Sequence, residues 1–67
     1  MSVARITEIS ATSPKSFDDA TKVGLRRAEK TLKNITGAWV KSMKVDYSKG
    51  KITDYRVLLK VSFILKD

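Results

Sequence analysis

The sequence is 67 residues long, has a formal net charge of +7, and contains neither cysteine nor histidine. We interpret residues 1–67 as one domain, whose small core rarely supplies more than a few kcal/mol of net stability. The composition excludes disulfide bonds, zinc sites built from cysteine or histidine, and thiol or imidazole catalysis. Association between copies is therefore the remaining common source of stability.

The positive charge indicates affinity for nucleic acid, anionic membranes or phosphorylated small molecules. The alternative is that the charges only solvate the surface, since they are spread along the chain rather than clustered. No apolar run approaches the roughly 18 residues that span a bilayer. Residues 1–5 do not resemble the start of a secretory signal. We therefore expect a soluble protein of the cytoplasm.

The first predicted element is a strand over residues 3–12, in which Val3, Ile6 and Ile9 stand among serine and threonine. Pro14 ends this strand, because proline lacks a backbone donor and pushes the preceding residue away from helical geometry. Residues 12–16 are therefore predicted to form a connection.

The second predicted element is a helix from Phe17 to about Asn34, with Ser16 as its N-cap. Asp19 is expected to complete a capping-box-like arrangement, and Asp18 adds negative charge at the positive end of the helix dipole. The face predicted to be buried carries Phe17, Ala20, Gly24, Ala28, Thr31, Leu32 and Ile35. Its small residues indicate a close approach to a sheet. The opposite face carries Lys22, Arg26, Lys30 and Lys33.

Two further strands are predicted over residues 38–47 and 51–65, joined as an antiparallel hairpin by the turn at residues 48–50. The last strand gives the clearest pattern, because apolar side chains alternate along it with a period of two. The face of this strand that is predicted to pack on the helix carries Tyr55, Val57, Leu59, Val61, Phe63 and Leu65.

The lengths of these elements predict an oligomer rather than a monomer. The last strand would extend roughly 45–50 Å, whereas the predicted helix would cover only about 27 Å. The even-numbered face of the strand also carries Leu58 and Ile64, which a helix on the other side cannot bury. A neighbouring subunit would cover both regions. The alternative is a monomeric sheet with one face in water.

The sequence contains no catalytic constellation, and we expect a protein without enzymatic activity. Asp46 and Asp54 flank the predicted turn and are candidates for a hard cation, although solvated carboxylates are the more usual explanation. The basic helix face is a candidate for contacting a nucleic-acid backbone, with a solvated helix surface as the more usual alternative. Trp39 is a candidate for the core, for an interface, or for stacking on a planar ligand.

Three segments, in this order and spacing, resemble the dodecin family. The family's T-S-x-x-S-aromatic start of the helix is matched by residues 12–17, Thr-Ser-Pro-Lys-Ser-Phe. Its R-A-x-x-T-L segment is matched by residues 26–32, Arg-Arg-Ala-Glu-Lys-Thr-Leu. Its Y-Q-V-x-L-x-V-x-F final strand is matched by residues 54–63, Asp-Tyr-Arg-Val-Leu-Leu-Lys-Val-Ser-Phe. The resemblance covers nearly the whole chain without an obvious gap.

This resemblance implies an α+β fold of the order β-α-β-β, in which a three-stranded antiparallel sheet partly wraps around one helix. It also implies a hollow homododecamer that stores a ligand rather than converting it. Flavin-binding members hold riboflavin or flavin mononucleotide (FMN) in pairs between subunits. A tryptophan stacks on each flavin ring, and a glutamine of the final strand bonds to the ring edge. Some bacterial members also bind coenzyme A through basic surface residues.

The chain departs from the flavin-binding members at both key positions. Gly37 falls where they have the stacking tryptophan, and Arg56 falls where they have the glutamine. Arginine donates hydrogen bonds but cannot accept them, so it does not reproduce the contacts of glutamine. Trp39 lies on the same side of the strand as Gly37, about 7 Å further along, and is a candidate replacement for the lost ring. Lys44 falls where flavin-binding members have a basic residue near the ligand.

These departures resemble those of a dodecin subgroup described as calcium-binding, but they assign no calcium ligands. An arginine at position 56 suits a phosphate or carboxylate better than a cation, unless a carboxylate intervenes. The predicted cofactor-binding residues are Gly37, Trp39, Lys44 and Arg56. The residues that match the region used for coenzyme A phosphates are Arg5, Arg27, Thr31 and Lys33.

The leading functional hypothesis from the sequence is therefore binding and storage of FMN, riboflavin or another phosphorylated cofactor between subunits. The first alternative is a structural or calcium-binding particle that has lost its flavin site. The second alternative is a binder of nucleic acid or anionic surfaces, which we consider the least favoured of the three.

Overall fold

The computed structural model describes residues 3–65. Its elements, in chain order, are strand β1 (Val3–Ser13), helix α1 (Phe17–Glu29), strand β2 (Ile35–Ser48) and strand β3 (Lys51–Leu65). The strands form one antiparallel sheet in the order β1-β3-β2, so that β3 lies in the centre. The predicted α+β fold and its element order are thus confirmed.

The alternation of side chains along β3 separates a buried face from a face turned away from the helix. Val57, Leu59 and Val61 are fully buried and form the centre of the core. Further along the same face, the ring of Tyr55 packs edge-on against Phe17 of α1, with 5.1 Å between the ring centroids. The prediction that the odd-numbered side of β3 packs on the helix is therefore confirmed for its core residues, whereas Leu65, at the end of the same side, is 48% exposed.

Two serines fix the start of α1. Ser16 is the N-cap, and its Oγ accepts a hydrogen bond from the backbone N–H of Asp19 at 2.9 Å. In a capping box, the Asp19 carboxylate would accept a hydrogen bond from the backbone N–H of Ser16. Here it accepts a hydrogen bond from the Oγ of Ser13 at 2.6 Å, so the predicted capping box does not form. Ser13 is only 2% exposed, and its Oγ also accepts the backbone N–H of Lys15 at 3.0 Å. Ser13 thereby ties the end of β1 to the first turn of the helix.

Helix α1 lies so close to the sheet that only small side chains fit between them. Its buried residues are Ala20, Gly24 and Ala28. A Cβ added to Gly24 would lie 2.9 Å from the Cβ of Ala11 and 3.4 Å from Cδ1 of Leu59. Carbon atoms pack favourably at about 3.5–4.0 Å, so the first of these contacts is a clash. The predicted close approach is confirmed, and it explains a glycine that costs about 1 kcal/mol of helix propensity.

The helix ends at Glu29, and the predicted end at Asn34 was therefore wrong. The backbone N–H of Lys30 donates to the carbonyl of Arg27 at 3.2 Å, an i→i+3 bond of the kind that tightens and ends an α-helix. Asn34 then adopts left-handed backbone geometry with φ of 63°, which asparagine tolerates better than most residues. This reversal lets β2 begin at Ile35, earlier than the predicted start at residue 38.

The sheet is much longer than the helix that covers it. The Cα atoms extend over 51 × 19 × 13 Å, whereas the 13 residues of α1 cover about 20 Å. Because α1 packs on β1 and β3, it leaves the helix side of β2 exposed. The apolar residues of β2 on that side, which we call the β2 apolar row, are Ala38, Val40, Met43 and Val45.

The β2 apolar row is an uncovered apolar surface in addition to the one that the sequence predicted on the even-numbered face of β3. Leu58 and Ile64, on the other face of β3, are half-buried within the chain. Most of the β2 apolar row has large exposed side chains. None of the helices within residues 3–65 has the length and apolar character needed to cross a membrane.

Candidate ligand-binding face

The predicted cofactor-binding residues lie on the side of the sheet away from α1, which we call the helix-distal face. Successive strand residues point to opposite faces, and directly paired residues of an antiparallel ladder share a face. The register gives this face the rows Ile6–Ser62–Gly37, Glu8–Lys60–Trp39, Ser10–Leu58–Ser42, Thr12–Arg56–Lys44 and Asp54–Asp46. The structure thus brings to one face all four predicted residues, Gly37, Trp39, Lys44 and Arg56.

At one end of the helix-distal face, two cations share a carboxylate. Nη2 of Arg56 donates to Oδ2 of Asp46 at 2.9 Å, and Nζ of Lys44 lies 3.9 Å from Oδ1 of the same residue. A carboxylate therefore lies beside Arg56, which is the condition under which the sequence analysis allowed a cation at this position. Asp54, the cross-strand partner of Asp46, lies in the next row of the same face, so two carboxylates stand beside the two cations. A phosphate at this end would rely on hydrogen bonds from the Arg56 guanidinium, for which Asp46 competes.

At the other end, Trp39 offers an exposed aromatic surface. Its residue is 60% exposed, and it lines a shallow pocket of about 410 Å³ with Ile6, Lys41 and Lys60. Nζ of Lys41 is held by Oε1 of Glu8 at 3.0 Å, whereas Lys60 makes no ion pair with any residue of the described chain. An exposed indole beside two ammonium groups suits a planar ligand that carries negative charge.

The two ends of this face are separate regions within one subunit. Lys60, the cross-strand partner of Trp39, and Arg56 lie four residues apart on β3, which corresponds to about 13 Å. Arg56 does not line the pocket of Trp39. The structure therefore places the predicted residues on one face and divides them between two regions of that face.

The position of the missing family tryptophan is open. A Cβ built on Gly37 meets no atom of the described residues within 4 Å. The neighbouring Thr36 is anchored to β3, because its hydroxyl donates to the carbonyl of Ser62 at 3.3 Å. The backbone at position 37 is therefore held in the sheet, while the space beside it is free for a side chain or a ligand.

The second predicted set, matched to coenzyme A binding, is only partly assembled. Nη1 of Arg27 donates to Oγ1 of Thr31 at 3.3 Å, and both residues line a groove of about 590 Å³ between α1 and β1. Arg5 and Lys33 do not line this groove. The structure therefore brings together two residues of the set of four.

A cation site is less complete than the anion-binding features. Asp46 and Asp54 are direct cross-strand partners, so two carboxylates share one edge of the helix-distal face. Within residues 3–65, no group of three or more aspartate, glutamate, cysteine or histidine side chains is suited to hold a metal ion. Calcium, which usually takes six to eight oxygen ligands, would need backbone oxygens, water or a second chain here.

Sequence reasoning missed three residues of the Trp39 region, namely Glu8, Lys41 and Lys60. The alternation of β3 indicated the side on which Lys60 lies, but no sequence pattern identified its neighbours across the sheet. Lys41 lies at a register shift between Val40 and Ser42. Such a β-bulge inserts an extra residue and re-aims nearby side chains, and no pattern in the sequence marked it.

Comparison with known proteins agrees with the fold. A family model described as Dodecin matches residues 3–66. Calcium dodecin from Mycobacterium tuberculosis (strain ATCC 25618 / H37Rv) is 41% identical over 68 residues, covering 98% of this chain and 93% of that protein.

Solved dodecin structures are also similar. The dodecin from Streptomyces davaonensis has a TM-score of 0.94 and 33% identity, covering 98% of this chain and 97% of its own. The calcium dodecin of Mycobacterium tuberculosis, described as a calcium-chelating antigen with a novel calcium-binding site, has a TM-score of 0.82 and 32% identity, covering 96% and 91%. The resemblance found in the sequence is thereby confirmed, and the chain belongs to the dodecin family.

Proposed function

We propose that this chain is the single-domain, non-enzymatic subunit of a homododecamer that binds and stores FMN, or another planar phosphorylated ligand, on its helix-distal face. The observation that carries this proposal is the exposed ring of Trp39 in one pocket with Lys41 and Lys60. Family membership supports a small-ligand-binding protein, and the local geometry supports this class of ligand.

The chemistry of the face matches both parts of FMN. The flavin ring system stacks on the exposed indole of Trp39, which supplies the ring that Gly37 lacks. The phosphate pairs with Lys60 in the same pocket or, across a subunit boundary, with Arg56 of another copy. The net charge of +7 attracts such anions from a distance. Riboflavin, which has no phosphate, is expected to bind more weakly.

The β2 apolar row supports assembly. Val40, Met43 and Val45 are 44%, 57% and 39% exposed, although they lie beside core residues of β3. An apolar row that continues the core and lacks helix cover is stabilised when another copy of the chain buries it. A chain this small also needs such an interface for stability. The dodecameric size follows from the family rather than from the geometry of one subunit.

Storage rather than catalysis fits the side chains around the ligand face. The sequence has no histidine or cysteine to transfer protons or attack a substrate. Glu8, whose carboxylate holds Lys41 at the Trp39 pocket, and Asp46, beside Arg56, are engaged by lysine and arginine. These ion pairs fix the positions of the charged side chains, as a ligand-binding site requires.

Equilibrium dialysis of the purified protein against FMN and riboflavin tests this proposal. We expect a dissociation constant for FMN in the micromolar range or tighter, about −8 kcal/mol, and weaker binding of riboflavin. Arg56→Ala in the intact particle should weaken FMN but not riboflavin. Equal affinity for both flavins would show that the phosphate is not held by these cations. An unchanged FMN affinity in Arg56→Ala would show that Arg56 does not hold it.

Calcium binding is the second candidate function, and two observations favour it. The relative that is 41% identical is named calcium dodecin, and Asp46 and Asp54 face each other across the hairpin. Carboxylates and backbone oxygens are the ligands that calcium prefers. This candidate predicts thermal stabilisation by calcium but not by magnesium, and its loss in Asp54→Asn. Equal effects of both ions would instead indicate unspecific charge neutralisation.

A further inference from the structure

The outward face of α1 carries cations that the ligand-binding face does not use. Lys22, Arg26 and Lys30 repeat every four residues, so they lie along one side of the helix at a spacing of about 6 Å. Together with Lys33, which follows the helix, we call them the helix basic row. All four are exposed, and they lie away from the buried small residues of α1.

This row is poorly compensated by acidic side chains. Residues 22–33 contain five basic residues and only one acidic residue, Glu29. Lys22 pairs with Asp18 at 3.2 Å, but both side chains are largely exposed, and such pairs are weak and screened by salt. Arg26, Lys30 and Lys33 form no ion pair with another residue in the range 3–65. The row therefore presents positive charge that is available to a partner.

An open groove runs beside the row. It has a volume of about 320 Å³ and lies between α1 and the beginning of β2. Its lining residues are Lys22, Leu25, Arg26, Glu29, Ile35, Thr36 and Gly37, of which Glu29 is the one acidic residue. A polymer backbone can therefore lie along the helix with its charged groups facing Lys22 and Arg26.

We propose that the helix basic row and this groove bind the sugar–phosphate backbone of nucleic acid without sequence selection. Regularly spaced cations along a helix complement a linear polyanion, and phosphate contacts position a protein without reading bases. A membrane surface fits less well, because the apolar face of α1 is buried against the sheet and cannot insert between lipids. This activity is independent of the proposed ligand storage, and repetition of the row in an oligomer would raise its avidity.

The test measures binding of the intact oligomer to a short labelled DNA duplex by fluorescence anisotropy, from about 50 to 200 mM salt. We expect log K to fall linearly with log salt. The triple variant K22Q/R26Q/K30Q should flatten that slope by about 2.7, because each lost phosphate contact contributes roughly 0.9. It should also weaken binding at least tenfold at low salt, while FMN or calcium binding stays as in the wild type.

The matched control is K15Q/K49Q/K51Q, which removes the same number of charges from exposed positions off the helix basic row. The control should keep most of the affinity and the slope. Equal losses in both variants would overturn the proposal, because they would show attraction by net charge alone. Absence of DNA binding together with tight binding to phosphatidylserine vesicles would also overturn it. Size-exclusion chromatography and circular dichroism verify that both triple variants fold and assemble. If K22Q/R26Q/K30Q does not assemble, the single variant Arg26→Gln replaces it, with about one third of the expected effect.

Discussion

Nη2 of Arg56 donates a hydrogen bond to Oδ2 of Asp46 at 2.9 Å, across the central and outer strands of the helix-distal face. The same carboxylate lies 3.9 Å from Nζ of Lys44. This contact determines what the Arg56 end of the face can bind. The Asp46 carboxylate competes with a phosphate for the guanidinium, and it also offers an oxygen ligand to a cation.

The substitution Asp46→Asn therefore separates the two candidate functions. It should strengthen FMN binding about three- to tenfold, because it removes a negative charge that opposes the phosphate. It should weaken calcium binding for the same reason. The free energy of unfolding should change by less than about 1 kcal/mol, since the ion pair is partly exposed. Equilibrium dialysis and isothermal calorimetry give the affinities. Asp18→Asn, which makes the same charge change on the helix, should alter neither, and a weaker FMN affinity in Asp46→Asn would contradict this account.

Gly37 is the position at which the family's stacking ring can be restored. Because no described atom lies within 4 Å of a Cβ at this position, Gly37→Trp should fold and assemble like the wild type. The added ring should raise flavin affinity about tenfold or more, since base-like rings gain about 1–3 kcal/mol from stacking on an aromatic side chain. Flavin fluorescence and dialysis measure the gain, and Gly37→Leu controls for added apolar area. No gain in Gly37→Trp over Gly37→Leu would mean that this position does not face the ligand.

Gly24 has the opposite environment, because a Cβ there would meet the Cβ of Ala11 at 2.9 Å. Gly24→Ala should gain about 1 kcal/mol of helix propensity but lose about 1–3 kcal/mol through overpacking, for a net destabilisation of up to about 2 kcal/mol. Thermal unfolding at fixed protein concentration measures the change. The same substitution at Gly37, where space is open, should be nearly neutral. Stabilisation by Gly24→Ala would show that α1 can move away from β1 without cost.

The buried hydroxyl of Ser13 holds two polar groups at the start of the helix. Ser13→Ala leaves the Asp19 carboxylate without this donor and the Lys15 N–H without this acceptor, at a cost of about 1–3 kcal/mol. Loss of the N-cap in Ser16→Ala should cost about 1 kcal/mol. Denaturant unfolding ranks the two variants, with Ser10→Ala, at an exposed position of β1, as the control. A loss in Ser13→Ala no larger than in Ser10→Ala would contradict the role given to this hydroxyl.

Most of the fold could be predicted from the sequence because its patterns are local. The period of two in β3 and the small residues of α1 correctly predicted which faces form the core. The end of α1 could not be read in this way, because the apolar spacing continues through Leu32 and Ile35 although the backbone has already turned. Leu32 and Ile35 still pack against the core, so the apolar spacing indicated that they are partly buried and not that they are helical.

The candidate site was predictable only as far as strand alternation reaches. The family resemblance singled out Lys44 and Arg56, and strand alternation related Trp39 to Gly37. Alternation alone would put Trp39 and Lys44, five residues apart on β2, on opposite faces, and the register shift between Val40 and Ser42 brings them to one face. The contacts between strands depend on register and on the bulge beside Lys41, which no local pattern encodes. For this reason the pairing of Arg56 with Asp46, and the approach of Lys41 to Glu8 across β3, became visible only in the structure.

The central claim is that Trp39 supplies the surface on which a planar phosphorylated ligand binds. Equilibrium dialysis of FMN against the wild type, Trp39→Phe and Trp39→Ala tests this claim most directly. We predict that Trp39→Ala weakens FMN binding about tenfold or more and that Trp39→Phe, which keeps a ring, recovers most of the affinity. Equal FMN affinity in all three proteins, or no measurable FMN binding by the wild type, would contradict the claim and direct attention to calcium.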